Sequence, residues 1–173
     1  MVLRGSDYNY PAEVFVAPTV DEEPTPERLT VTNPELSDIR FALQEVVNFT
    51  ARDGLELEGI LIYPLDYDES KRYPVVMTVH GGPESHVRDN WVTGYSYPGQ
   101  IAAARGMAVF YPNYRGSTGR GVAFSKLGQA DYAGGEFNDL VDAIDHLVAM
   151  GVADRDRIGI TGRSYGGYAT LAG

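Results

Sequence analysis

The sequence predicts an α/β fold in which a mostly parallel sheet carries helices on both faces. Three observations lead there. Val75 to His80 and Met107 to Tyr111 are short apolar runs rich in β-branched or aromatic residues, as expected of buried strands. Between the second run and the next strand candidate, Ile158 to Thr161, lies one clear helical pattern, Glu136 to Met150. Strands and helices alternate, which favours parallel crossovers.

Taken in order, the chain changes character near residue 30. Residues 1–30 hold one strand candidate, Glu13 to Ala17, and then a loop with Pro18, Pro24, Pro26 and the acidic run Asp21-Glu22-Glu23. With Pro11, these prolines preclude a helix. Val46 to Thr50 and Leu55 to Tyr63 read as a hairpin around the turn Arg52-Asp53-Gly54. Gln100 to Arg105 is a short helix, and Asn113 to Gly121 a glycine-rich loop. In the long helix, Phe137, Leu140, Val141, Ile144, Leu147 and Val148 share one face at a period of 3.6 residues. Asp139, Asp142 and Asp145 are read as its solvated side, and Gly151 as its stop.

Composition narrows the function. The chain has 173 residues, 24 acidic and 14 basic, for a net charge of −10. The excess is concentrated at −8 over residues 1–60, against −2 over residues 61–173. That argues against a nucleic-acid partner, which would favour a basic stripe. No stretch approaches the roughly 18–20 apolar residues of a membrane helix, and Met1 to Tyr10 lack a signal-peptide layout. With no cysteine there are no disulfides, thiolate metal sites or cysteine nucleophiles. The compartment stays open.

Gly162-Arg163-Ser164-Tyr165-Gly166-Gly167 follows the last strand directly. A serine nucleophile must stand on a sharp, strained turn, and strand and helix then approach so closely that side chains at Gly162 and Gly166 would clash. Chance yields roughly 0.1 such GxSxG patterns in a chain of this composition. Its place after the fifth strand of the regular region is where an α/β-hydrolase keeps its nucleophile. Ser164 is therefore the candidate nucleophile and the Tyr165 N–H an oxyanion donor. His80-Gly81-Gly82-Pro83, at the end of an earlier strand, offers the second donor: Gly82 first, Gly81 second. His80 is expected to line the site as a hydrogen-bonding residue. In this fold the base follows the nucleophile, whereas His80, His86 and His146 all precede Ser164. The expectation is a piece of a longer protein, cut after the nucleophile turn, lacking the triad Asp and His and inactive alone.

Four segments resemble the catalytic domain of the prolyl oligopeptidase family of serine peptidases, in its dipeptidyl peptidase IV and acylaminoacyl-peptidase branches. They are His80-Gly81-Gly82-Pro83, the run from Pro112 to Gly119 containing NYRGSTG, Gly134-Gly135-Glu136, and Gly162 to Tyr168. The resemblance covers about residues 45–173. It implies that residues 41–173 are the N-terminal half of an α/β-hydrolase domain, and that residues 1–40 are the end of a β-propeller plus a connector. It also implies short-peptide substrates, no metal or organic cofactor and an acyl-enzyme on Ser164, with homo-oligomers possible in the full-length protein. Arg115 and Glu136 are read as structural ion partners near the site, the alternative being plain loop and helix-start residues. Trp91, Tyr95 and Tyr97 either line a substrate path or pack on their own loop. An esterase or lipase on the same scaffold and a non-catalytic binding module are the competing readings.

Overall fold

A computed structural model describes residues 1–17 and 25–172. Two sheets are present. The first is an antiparallel meander of β1 (Val2–Asp7), β2 (Tyr10–Val16) and β3 (Glu27–Arg28), in that order. Only β2 was expected. β1 has little apolar alternation of its own, and its strand character comes from pairing with β2, Val2 opposite Val16 and Gly5 opposite Glu13. The carboxylate of Glu13 is buried and accepts from Arg28 Nη2 at 3.0 Å, Thr32 N at 2.8 Å, and the Thr30 and Thr32 hydroxyls. Most of the proline-rich acidic loop, including Pro18, Pro24 and Asp21-Glu22-Glu23, lies outside the described residues.

A 3-10 turn at Pro34–Asp38 leads to the second sheet. In chain order it is built from β4 (Gln44–Thr50), β5 (Glu56–Ile62), β6 (Tyr73–Val79), α1 (Gly99–Ala103) and β7 (Ala108–Asn113). α2 (Val122–Ser125), α3 (Gly135–Ala149), β8 (Ala153–Gly162) and α4 (Tyr165–Ala172) follow. The strand order is β4-β5-β7-β6-β8. β6 runs parallel to both β7 and β8, whereas β4–β5 and β5–β7 are antiparallel. The sheet is thus mixed rather than mostly parallel. β5 is buried along most of its length, so its composition reads like that of a parallel strand and does not reveal its direction.

The crossovers put helices on both faces. From β6 the chain passes through α1 to β7, then back across β6 through α3 to β8. Right-handed crossovers in opposite directions place their helices on opposite sides. Ile60, Ile62, Val109 and Tyr111 pack with Ala102 and Ala103 of α1. Leu61, Met77 and Phe110 pack with Leu140 and Leu147 of α3 and Ala169 of α4. Alternate residues of β7 thus serve different cores, as strand geometry requires. Parallel β6 and β8 end side by side, where open α/β sheets bind ligands.

Of the three α3 aspartates read as a solvated face, only Asp145 is exposed; Asp142 is largely covered. Asp139 is completely buried. It accepts from Arg115 N at 2.8 Å, Nε at 2.9 Å and Nη2 at 2.7 Å, while Arg115 Nη1 reaches Asp53 at 2.8 Å. These bonds, that to Asp139 above all, hold the Arg115 guanidinium charged. Asp142 pairs with Arg52, and Asp145 with Arg155. Val141, expected inside, is 50% exposed. Helical spacing indicates a face but not which loops cross it, and the loop after β7 crosses this helix at Asp139.

His80 follows β6 and joins that loop to the strand. Its ring stacks on Tyr114, with centroids 4.4 Å apart and planes 14° from parallel. Nδ1 lies 2.9 Å from Gly81 O, which accepts and so assigns the proton to Nδ1. Nε2 therefore accepts from the Ser117 hydroxyl at 3.0 Å, and Tyr114 OH donates to His80 O at 2.9 Å. Two segments singled out by resemblance, HGGP and NYRGSTG, are thus one hydrogen-bonded unit. Burial lowers the His80 pKa to about 4, so the ring is neutral at pH 7.

Two outcomes follow for stability. Asp139→Ala leaves the largely buried Arg115 without its main acceptor and is expected to cost about 3 kcal/mol. Asp142→Ala, beside the half-exposed Arg52, is expected to cost under about 1 kcal/mol; urea unfolding compares them. For His80 the folded pKa lies below the unfolded value. The unfolded chain binds more protons between them, so stability falls as pH drops from about 6.5 toward about 4. His80→Asn is expected to flatten that part of the stability–pH curve.

Candidate active site

The site is built where the ends of β6 and β8 meet. Ser164 follows β8 at φ +59°, a conformation that costs a non-glycine residue on the order of 1–3 kcal/mol unless its surroundings impose it. The surroundings do so. A Cβ on Gly166 would stand 2.0 Å from Val79 O, and one on Gly162 would stand 2.5 Å from Gly166 C. The first turn of α4 is thereby pressed onto the end of β6. Tyr168 N donates to Ser164 O at 3.1 Å, so helical bonding starts at the serine itself. The Ser164 side chain remains exposed.

Gly81 and Gly82 border the same point. A Cβ on Gly81 would lie 2.9 Å from Arg163 O and 3.0 Å from Ser164 Cβ. Gly82 sits at φ +134°, where a side chain would also strike Glu84 N at 2.5 Å. With Ser85, Tyr97, Arg163 and Ser164 they line a depression of about 300 Å³. Tyr165 opens α4, and first-turn N–H groups have no acceptor within their own helix. The elbow therefore combines an exposed hydroxyl, a helix N-terminus behind it and a glycine pair facing it. That is the equipment for attack on a carbonyl and stabilisation of the resulting oxyanion.

The histidines lie elsewhere. His80, expected to line the site, is 1% exposed and sits behind Gly81 in the bonds described above. His86 Nδ1 pairs with the Thr118 hydroxyl at 2.8 Å, while Arg88 Nε donates to its Nε2 at 3.0 Å. His146 lies in the last turn of α3, 6.0 Å from the Phe49 ring. None of them lines the depression beside Ser164.

Other expected residues separate in the same way. Tyr97 lines the depression while packing on Tyr111. Trp91 makes an edge contact with Phe41, and Tyr95 is fully exposed. Arg115 and Glu136 do not pair with each other: Arg115 binds Asp139, and Glu136 accepts from the Tyr165 hydroxyl. Ser117, Tyr114 and Ser85 were not anticipated. The NYRGSTG tract contained the first two, but no local pattern connects them to His80. Among the described residues, no three His, Asp or Glu side chains are grouped as metal ligands, and no helix is long and apolar enough to cross a membrane.

The chain resembles known proteins in sequence and in fold. Residues 93–173 match the prolyl oligopeptidase family profile. Dipeptidyl aminopeptidase BIII of Pseudoxanthomonas mexicana is 38% identical over 84% of this chain. Dipeptidyl-peptidase 5 of Porphyromonas gingivalis is 32% identical over 70%. The chain spans only 22% and 18% of those two proteins. The acylaminoacyl peptidase structure of Pyrococcus horikoshii superposes with a TM-score of 0.80 at 31% identity, over 98% of this chain and 26% of that one. The structure of Porphyromonas gingivalis dipeptidyl peptidase 4 gives 0.79 at 28%, over 97% and 24%. The profile match takes in the approach to α1, α3, β8 and the elbow, and the relatives extend the likeness across both sheets: the chain belongs to the prolyl oligopeptidase family.

Proposed function

We propose that Ser164 is the nucleophile of a serine peptidase that hydrolyses short peptides through an acyl-enzyme. The observation that carries this is the left-handed Ser164 held over the end of β6, exposed beside Gly81 and Gly82. In the reaction the Ser164 hydroxyl attacks the scissile carbonyl and its proton passes to a general base. The Tyr165 and Gly82 N–H groups receive the oxyanion, each worth on the order of 3 kcal/mol. The C–N bond breaks, the amine leaves with the proton, and water then hydrolyses the ester.

The base and its orienting carboxylate are assigned to sequence outside these 173 residues. The occupied or distant positions of His80, His86 and His146 favour that assignment. So does the fact that the chain spans about a fifth to a quarter of its relatives. On this reading residues 41–173 are part of a hydrolase domain, and residues 1–40 the end of a β-propeller with its connector. The 173 residues alone then turn over no peptide at enzyme-like rates.

Two measurements test this on the protein expressed from its whole reading frame. Ser164→Ala is expected to lower kcat on dipeptide amides by about 10⁶-fold. Retained peptide cleavage, or cleavage of simple acyl esters alone, would overturn the peptidase reading. Gly166→Ala forces the elbow away from Val79 O and is expected to slow fluorophosphonate labelling of Ser164 by about 100-fold.

A further inference from the structure

The elbow is braced from a second side, by a residue that the chemistry above does not use. Glu136, in the first turn of α3, is 3% exposed. Three donors converge on its carboxylate. Ala133 N and the Tyr165 hydroxyl donate to Oε1, and Gly134 N donates to Oε2 at 3.2 Å. No ion pair of the described residues includes it. The turn before α3 is shaped around this carboxylate: Ala133 takes φ +62°, and Asp131 Oδ2 accepts Gly135 N at 2.9 Å.

Tyr165 is the residue next to the nucleophile, and its side chain and backbone point to different tasks. Its hydroxyl is fastened to Glu136, and its ring is packed among Tyr132, Tyr168 and Tyr114 at centroid distances of 5.9, 5.7 and 6.5 Å. Burial first, then the Glu136 bond, push this hydroxyl up to about 12, so it remains a donor at any working pH. On the other side, Gly166 is pressed against Val79 O. The peptide between Ser164 and Tyr165 therefore lies between two anchors, one on the sheet and one on α3. A strained turn holds its geometry only when its neighbours over-determine it.

We propose that Glu136 is a positioning residue: through the Tyr165 hydroxyl it fixes the orientation of the Tyr165 N–H as oxyanion donor. This rests on the reading of Ser164 and Tyr165 given above. It predicts a defect in the chemical step rather than in substrate binding, because the bond acts on a donor used most when charge develops on the carbonyl oxygen.

The test uses the protein from its whole reading frame, with peptide amide kinetics, fluorophosphonate labelling of Ser164 and thermal unfolding. Tyr165→Phe keeps the ring and removes the link to Glu136, together with the 3.3 Å bond that Ala133 N donates to the same hydroxyl; Ala133 N keeps its bond to Glu136 Oε1. This variant is expected to lower kcat and the labelling rate about tenfold, with KM within about twofold and an unfolding temperature near that of the native protein. Glu136→Ala is expected to match that loss. Glu136→Gln keeps one oxygen for Ala133 N and the Tyr165 hydroxyl but turns an amide toward Gly134 N–H. It is expected to recover to within about threefold of the native kcat. If Tyr165→Phe labels and turns over within about twofold of the native protein, the positioning role is overturned, even where Glu136→Ala unfolds. A native protein in which Ser164 takes no label would instead overturn the nucleophile reading, and this inference with it.

Discussion

Contact between two backbones with no side chain between them underlies the site. The first turn of α4 lies so near Val79 O that no Cβ fits at Gly166, and Gly162 is closed by Gly166 in turn. This contact forces Ser164 into the left-handed region and leaves its hydroxyl in the open. It also brings Gly81 against Arg163 O, so that the loop after β6 and the turn after β8 share one wall. Parallel pairing of β6 with β8 makes this possible, since only strands running the same way end on the same side of a sheet.

Around that contact the fold uses buried polar groups as fasteners. His80 ties the end of β6 to the loop after β7 through Ser117 and Tyr114. Asp139 binds the same loop at Arg115, and Glu136, one turn earlier on α3, binds Tyr165. Two carboxylates three residues apart on one helix thus hold two different segments of the site. Each is buried and supplied with donors, the condition under which a buried polar group specifies geometry instead of merely costing stability. Family membership fits this picture: the glycine-rich segments first noticed as separate motifs meet in one hydrogen-bonded and close-packed assembly.

Much of the framework was legible beforehand. The hairpin around Gly54, the buried strands β6 and β7, the long helix α3 and the elbow at Ser164 all have local signatures of period, turn residues or spacing. β1 did not, because a strand without alternation gains its identity from its partner. The direction of β5 was hidden because antiparallel and parallel strands with buried faces share a composition. Asp139 looked solvated because a helical wheel takes no account of a loop that arrives from more than twenty residues away. His80, expected as a hydrogen-bonding residue lining the site, does hydrogen-bond but is buried behind Gly81, since the sequence contains no signal for the stack on Tyr114.

What the amino-acid order determined alone was local: where strands and helices form, and which serine stands between glycines that permit a strained turn. These depend on backbone sterics and side-chain periodicity, which act over a few residues. What only the tertiary structure decided was partnership: Glu136 with Tyr165, Asp139 with Arg115, His80 with Ser117. Such pairs are selected by which surfaces the crossovers bring together, and desolvation makes each buried group depend on the donor or acceptor it meets there.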